Sequence, residues 1–337
     1  MTPNSASRKA SRAGLYGPWL AFALLLVAWS GWWIWLSGEA ARRLDAEAAA
    51  LRAHGFQVAW AERRIGGYPF RLDVDFEGLR LAEPSGWGLA APTLQTEAYA
   101  WNPGRWMLVA PSGGTFVRPL GGPVQVGASV LRASVSGLDR SPPEIVIEGH
   151  GLRFTPAPGA RPFFVSAADA LVIATRPGPN DQGAIFLSLD GARAQLSGLM
   201  GRIAEGGLVS LKGDVIVSHV GAVSGADWPA AVRAWSAAGG TLQVRQVTVA
   251  AGEALLDARS GQITVDDNGR LAGTLTASLR QAPRALSAMS QAGAIQPGAA
   301  RSAAAAAGGD AAHVVLDFQG GQTRLGAVTL GPAPRIF

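Results

Sequence analysis

A chain of 337 residues without a single cysteine excludes disulfides, zinc ribbons, iron–sulfur clusters and thiol catalysis. The formal charge is +5, but Arg8, Lys9 and Arg12 sit in a short leading tail and the other cations are scattered, which disfavours nucleic-acid binding. Only 16% of residues are charged and 44 are glycine, which suits a β-rich, turn-rich body filling one large or two medium domains.

Residues Leu15 to Leu36 carry no charge and read LYGPWLAFALLLVAWSGWWIWL. Rising ~1.5 Å per residue, such a helix crosses a ~30 Å hydrocarbon core. The predicted anchor covers 15–36, behind a basic tail over 1–14. No acidic residue precedes it, so the positive-inside rule keeps the N-terminus cytoplasmic and sends the rest across the membrane. Tyr16 and Trp19 mark one interface, and Trp29, Trp32, Trp33 and Trp35 the other. A cleaved signal peptide is the competing reading, with an apolar core of usually ~7–15 residues. This run is longer, and Ser37-Gly38-Glu39-Ala40 is a weak cleavage site, so an uncleaved single span is expected. Residues 39–54 continue as a juxtamembrane helix with Leu44, Ala48 and Leu51 on one face and His54-Gly55 as its stop.

From Phe56 the period changes to two. Phe56, Val58 and Trp60 alternate with small and polar residues up to the Gly66-Gly67-Tyr68-Pro69 corner. Phe70, Leu72, Val74 and Phe76 then face one way, with Arg71, Asp73, Asp75 and Glu77 opposite, and the two strands form a hairpin. Further strands are expected over 94–100, 106–109, 124–126, 129–136, 144–148, 163–175 and 184–189, separated by Pro/Gly turns. Asp227 caps a helix that ends at Gly239-Gly240. A strand over 241–250 changes parity at Arg245-Gln246, which suggests a bulge. Strands 262–266 and 270–279 flank Asp267-Asn268-Gly269, where Asn-Gly supplies positive φ for a tight hairpin. Pro283–Ala292 reads as an amphipathic helix, 293–312 is Ala/Gly-rich, and strands 313–319 and 322–330 close the chain. The fold class is therefore mainly β with a few helices: an anchor followed by a large antiparallel, curved sheet over 56–337. Two sub-parts could meet near 190–225.

The search for chemistry finds no catalytic, cofactor-binding or metal-binding set. His54, His150, His219 and His313 lack partners at ligand spacing. There is no nucleophile elbow, Walker loop or zincin motif. Asp73, Asp75 and Glu77 read as a solvated strand face balanced by Arg71 and Arg80. Asp266-Asp267-Asn268-Gly269 reads as a turn and lacks calcium-loop spacing. What remains is apolar area: Phe70, Leu72, Val74 and Phe76 could line a groove or form ordinary core.

Arg64-Ile65-Gly66-Gly67-Tyr68-Pro69-Phe70-Arg71-Leu72 resembles the G-[FY]-P-[FY]-R-[FL] signature of a bacterial family known as domain of unknown function 2125. Trp235 to Val244 is similar to its W-x-x-A-G-G-T-L element, Asp266 to Leu275 to its following hairpin, and Leu325 to Pro334 to its closing strands. The resemblance implies an inner-membrane protein of a Gram-negative bacterium with its bulk in the periplasm. Its motif residues Gly67, Pro69, Phe70, Trp235, Gly239 and Gly240 are expected to be structural. A looser resemblance is to AsmA-like envelope proteins, whose long curved sheet forms an apolar groove linked to phospholipid movement. About fifteen strands at ~4.8 Å would span at most ~70 Å, which suits a lipid-holding module better than a conduit between membranes.

Three functions follow as expectations. The first is binding or transfer of lipid or another apolar molecule in envelope maintenance, with no cofactor and no enzymatic activity. The second is a structural or scaffolding part of an envelope protein complex. The third, and least supported, is an enzyme of envelope polymers.

Overall fold

The computed structural model describes residues 13–140, 142–195, 207–252, 254–280, 287, 290, 298, 311–325 and 328–337. The expected helix over 283–292 lies almost wholly outside them, as does most of the basic tail. The anchor and the juxtamembrane segment are one unbroken helix, α1 (Ala13–Ala53), of 41 residues and about 60 Å. Ser37-Gly38 stands where the apolar run ends, yet the helix passes through it unbroken.

A single sheet holds every strand. In chain order these are β1 (Gln57–Ala59), β2 (Glu62–Gly66), β3 (Arg71–Ala82), β4 (Gly88–Tyr99), β5 (Asn102–Val109), β6 (Gly114–Arg118), β7 (Gly122–Gly127), β8 (Val130–Ser136) and β9 (Glu144–Pro156). Then follow β10 (Val165–Pro177), β11 (Gln182–Ala194), β12 (Val209–Ser218), β13 (Leu242–Ala251), β14 (Ala254–Val265), β15 (Leu271–Arg280), β16 (Ala311–Gln319), β17 (Gln322–Leu325) and β18 (Val328–Pro332). All pairings are antiparallel. β1 and β2 pair end to end with β3. β4 carries β5 and β6 side by side, and these meet β8 and β7, which both join β9. From β9 to β18 each strand pairs with the next, and the sheet runs without a break through β11 and β12.

Adjacent strands rotate by roughly 20–25°. Between β3 and β13 this amounts to about half a turn, and the sheet coils until distant parts touch. Contact is made by α2 (Trp228–Ala237), which connects β12 to β13. The Trp228 backbone N–H donates to the Glu83 carboxylate just after β3 at 3.0 Å, and its indole donates to the Ile336 carbonyl at 2.9 Å. As its sequence predicts, α2 is capped by the Asp227 side chain, which accepts from the Ala230 N–H at 2.8 Å.

Several local expectations change. The first strand is split into β1 and β2, with the Ala61 N–H between them still donating to Glu77. The closing strand is likewise two, β17 and β18. β6 and β12 were not expected, and most other strands are longer than their apolar runs suggest. The hairpin turn between β14 and β15 uses positive φ only at Gly269. The Asp266 carboxylate instead accepts from the Asn268 and Arg270 N–H groups, which holds a wider loop than a two-residue turn. The bulge is as predicted: Asp214 pairs with Gln246 and Val215 with Val244, leaving Arg245 extra.

Trp235 is 4% exposed and its indole donates to the Ser218 carbonyl at 2.7 Å. Gly239, at φ 81°, reverses the chain after the helix, and the Gly240 N–H returns to the Trp235 carbonyl at 2.9 Å. A Cβ on Gly240 would overlap the Trp235 ring, which explains the Trp-x-x-Ala-Gly-Gly order. Gly240→Ala is expected to destabilise the protein by about 1–3 kcal/mol through overpacking. A thermal melt that leaves the midpoint unchanged would show that the indole is free to move.

Candidate functional site

Because side chains alternate along each strand, directly paired residues share a face. Following the register from one edge gives a single apolar surface. Leu72 lies opposite Ala98, then Trp106 and Val135, then Ile145. Ile147 lies opposite Ile173, then Leu187. Ile185 lies opposite Val215, then Val244. Leu242 lies opposite Ile263, and Leu275 opposite Leu316. The other face carries Asp73, Glu97, Arg132, Glu148, Ser188, Lys212 and Asp214, with Arg132 and Glu148 ion-paired at 2.5 Å. At Gly151 and Gly191, φ near +60° makes the alternation slip by one residue. This returns Leu152 and Ala192 to the apolar side, where they pack with Leu171 and Leu189.

The two flanks of this surface are covered. Leu72, Val74 and Phe76 are 1%, 1% and 8% exposed. Leu72 packs under Leu36 and Trp33 of α1, and Phe76 meets the Trp60 ring edge to face at 5.6 Å. At the other flank Val244, Ile263, Leu275, Leu316 and Phe318 form one buried cluster, and α2 adds Val232 and Trp235 over Val217 and Val265. The centre is different: Ile145, Ile147, Leu171, Ile173, Leu187 and Leu189 are half-buried, and Ile185 is 40% exposed. Where the coil closes, a further cavity of about 420 Å³ is lined by Phe56, Leu81, Trp87, Leu89, Phe116 and Trp228.

Of the four residues proposed to line a groove, three share the inner face and one does not. Phe70 precedes β3 in the corner turn and is 62% exposed, because the strand starts only at Arg71. The corner itself is fixed by Gly67, at φ 94°, whose carbonyl accepts from the Arg71 N–H at 2.8 Å. A Cβ on Gly67 would come within 2.7 Å of the Arg71 oxygen. Pro69, after a cis peptide, offers its carbonyl to the Trp29 indole at 2.8 Å, and the Arg71 carbonyl takes the Trp33 indole at 2.7 Å. Ser30 Oγ lies 2.9 Å from the Tyr68 hydroxyl, and Trp33 meets the Tyr68 ring edge to face. Two of the indoles assigned from sequence to a membrane interface, Trp29 and Trp33, thus fasten α1 to the sheet. Farther up, Arg63 donates to the Asp45 carboxylate from both terminal guanidinium nitrogens, at 2.7 and 3.1 Å, and Arg52 donates to the Val58 carbonyl. The wall residues of the central strands were missed as a site. Their signal lay in the parity of short apolar runs, which acquires meaning only once the register is known.

The outer-face carboxylates are spread among ion pairs. Asp73 is 3.3 Å from Arg71, Glu97 also binds Arg71, and Glu77 faces Arg64, which takes the place expected for Arg80. No group of three or more His, Asp or Glu able to hold a metal occurs among the described residues. Asp257 is held below the usual aspartate range chiefly by Arg259, with Thr248 and Gln246 also donating to it. Arg63 lowers Asp45 in the same way. Both pairings lie at the surface, where they adjust local charge.

A family model described as "Uncharacterized protein conserved in bacteria (DUF2125)" matches residues 33–334. No curated protein and no solved structure matches the chain.

Two outcomes follow. Trp33→Phe removes the donor to the Arg71 carbonyl and should cost about 0.5–1.5 kcal/mol. Trp35→Phe, at an indole without such a bond among the described residues, serves as control in melts of the detergent-solubilised chain. Asp45 and Asp257 have lowered folded pKa values, so their stabilisation is full above the ordinary aspartate range and drains away as pH falls through the lowered values. The urea midpoint should therefore drop below that range, and Arg259→Ala should make the drop shallower; an equal slope in the variant would contradict the assignment to Asp257.

Proposed function

The chain belongs to the DUF2125 family, and on that premise we propose that it is a membrane-anchored module that holds or hands over lipid or another apolar molecule. α1 anchors it in the bacterial inner membrane with the N-terminus in the cytoplasm, and the coiled sheet works in the periplasm in envelope maintenance. Support for the anchor comes from the apolar helix, exposed on all sides from Tyr16 to Ala28, with unopposed cations before it, whereas Glu39, Asp45 and Glu47 offset Arg42, Arg43 and Arg52 after it. The observation that carries the ligand class is the unbroken inner face, roofed at both flanks and only half-covered in the middle. A sheet whose sole purpose was a closed core would cover Ile173, Leu187 and Ile185 as it covers Leu72 and Leu275.

The test uses a photoreactive benzoylphenylalanine placed singly in the full-length chain in bacterial membranes. Ile173 and Leu187 report the inner face, and their strand neighbours Val172 and Ser188 the outer one. Irradiation should give phosphate-labelled lipid adducts at the first pair, several-fold above the second. Adducts equal on both faces, or none on the inner face, would overturn the reading. Protein adducts confined to the inner face would move the scaffolding role forward.

A further inference from the structure

The lower end of the sheet carries an aromatic group that neither the core nor the inner face uses. Tyr68 and Phe70 of the corner are 50% and 62% exposed, and Tyr99 and Trp101 of the β4–β5 turn are 55% and 58% exposed. Tyr99 and Trp101 stack at 4.8 Å. The two turns adjoin, since the Ala100 N–H donates to the Phe70 carbonyl at 3.0 Å. Exposed aromatic rings with polar rims are the residues that favour the bilayer–water interface.

Their height is set by α1. The corner is bonded to Trp29, Ser30 and Trp33, and Ala100 accepts weakly from the Trp32 indole at 3.4 Å. All of these positions lie inside the uncharged run that ends at Leu36. Residues 16–28, which stand free of the sheet, reach only ~20 Å, short of a ~30 Å hydrocarbon core. The span is completed only if the helix stays in the bilayer through about Trp35. The corner hangs beside that last stretch.

We propose that the β2–β3 corner and the β4–β5 turn form a foot that inserts into the lipid leaflet beside α1. The inference rests on the reading of α1 as a membrane span. Tyr68, Phe70, Tyr99 and Trp101 are its lipid contacts, and the lower edge of the inner face stands directly above the acyl chains.

Because the chain has no cysteine, single spin labels can be placed cleanly. Phe70→Cys, Trp101→Cys, Leu24→Cys and Leu120→Cys are labelled in the full-length chain, reconstituted in phosphatidylethanolamine/phosphatidylglycerol vesicles. Leu120 is 77% exposed in the β6–β7 turn, at the opposite end of the strands from the foot. Collision with oxygen is compared with collision with a water-soluble nickel chelate. Positions 70 and 101 should favour oxygen, like 24, while 120 favours nickel. Nickel preference at 70 and 101 with oxygen preference at 24 would overturn the foot and leave the anchor standing. Nickel preference at 24 as well would overturn the anchor reading itself.

Discussion

One constraint organises the molecule: across a very wide antiparallel sheet, the pairing register keeps apolar side chains on the same side from the first strand to the last. A slip of one residue at any ladder would turn every later strand inside out. The sheet contains slips, at Arg245 and around Gly151 and Gly191, and each is a local bulge after which the apolar residues point inward again. Twist does the rest. It wraps the apolar side inward and brings Glu83 to Trp228, so the enclosure is held by one helix end and a short C-terminal segment, with no covalent staple.

The anchor is part of this enclosure. From the Trp29–Pro69 bond to the Arg52–Val58 bond, α1 lies along the corner, β2 and β1 and covers the edge where the sheet begins. An open sheet edge is a template for unwanted pairing, and a helix is one way to blunt it. The same helix roofs Leu72 with Leu36. The proposed membrane attachment, edge protection and core formation therefore share one helix, and the Gly-Gly-Tyr-Pro corner is where they meet.

How much of this could be read beforehand depended on range. The alternation of Leu72, Val74 and Phe76 identified a half-buried strand, Asp227 and Gly239 bounded a helix, and parity at Arg245 exposed a bulge, because each is written within a few residues. β12 escapes the pattern since its inward position between Leu211 and Val215 is Gly213, which leaves the apolar alternation without a side chain there. Phe70 was assigned to the strand because periodicity cannot show where a turn hands over to a ladder. The tryptophans of α1 fitted a membrane belt by composition alone. Their bonds to carbonyls some 40 residues away depend on a tertiary contact that no local pattern encodes.

If α1 spans a membrane as proposed, its unbroken course would make the protein a lever. A joint at residues 36–39 would let the sheet swivel freely, but the helix passes through and is clamped on both sides of that point. Bilayers of different thickness change the tilt of a spanning helix. With about 35 Å of clamped sheet beyond the surface, a change in tilt of about 10° would sweep the upper end by about 6 Å. On the reading of α1 as a membrane span, bilayer thickness would be converted into displacement of the end of the sheet that carries Glu83 and Trp228.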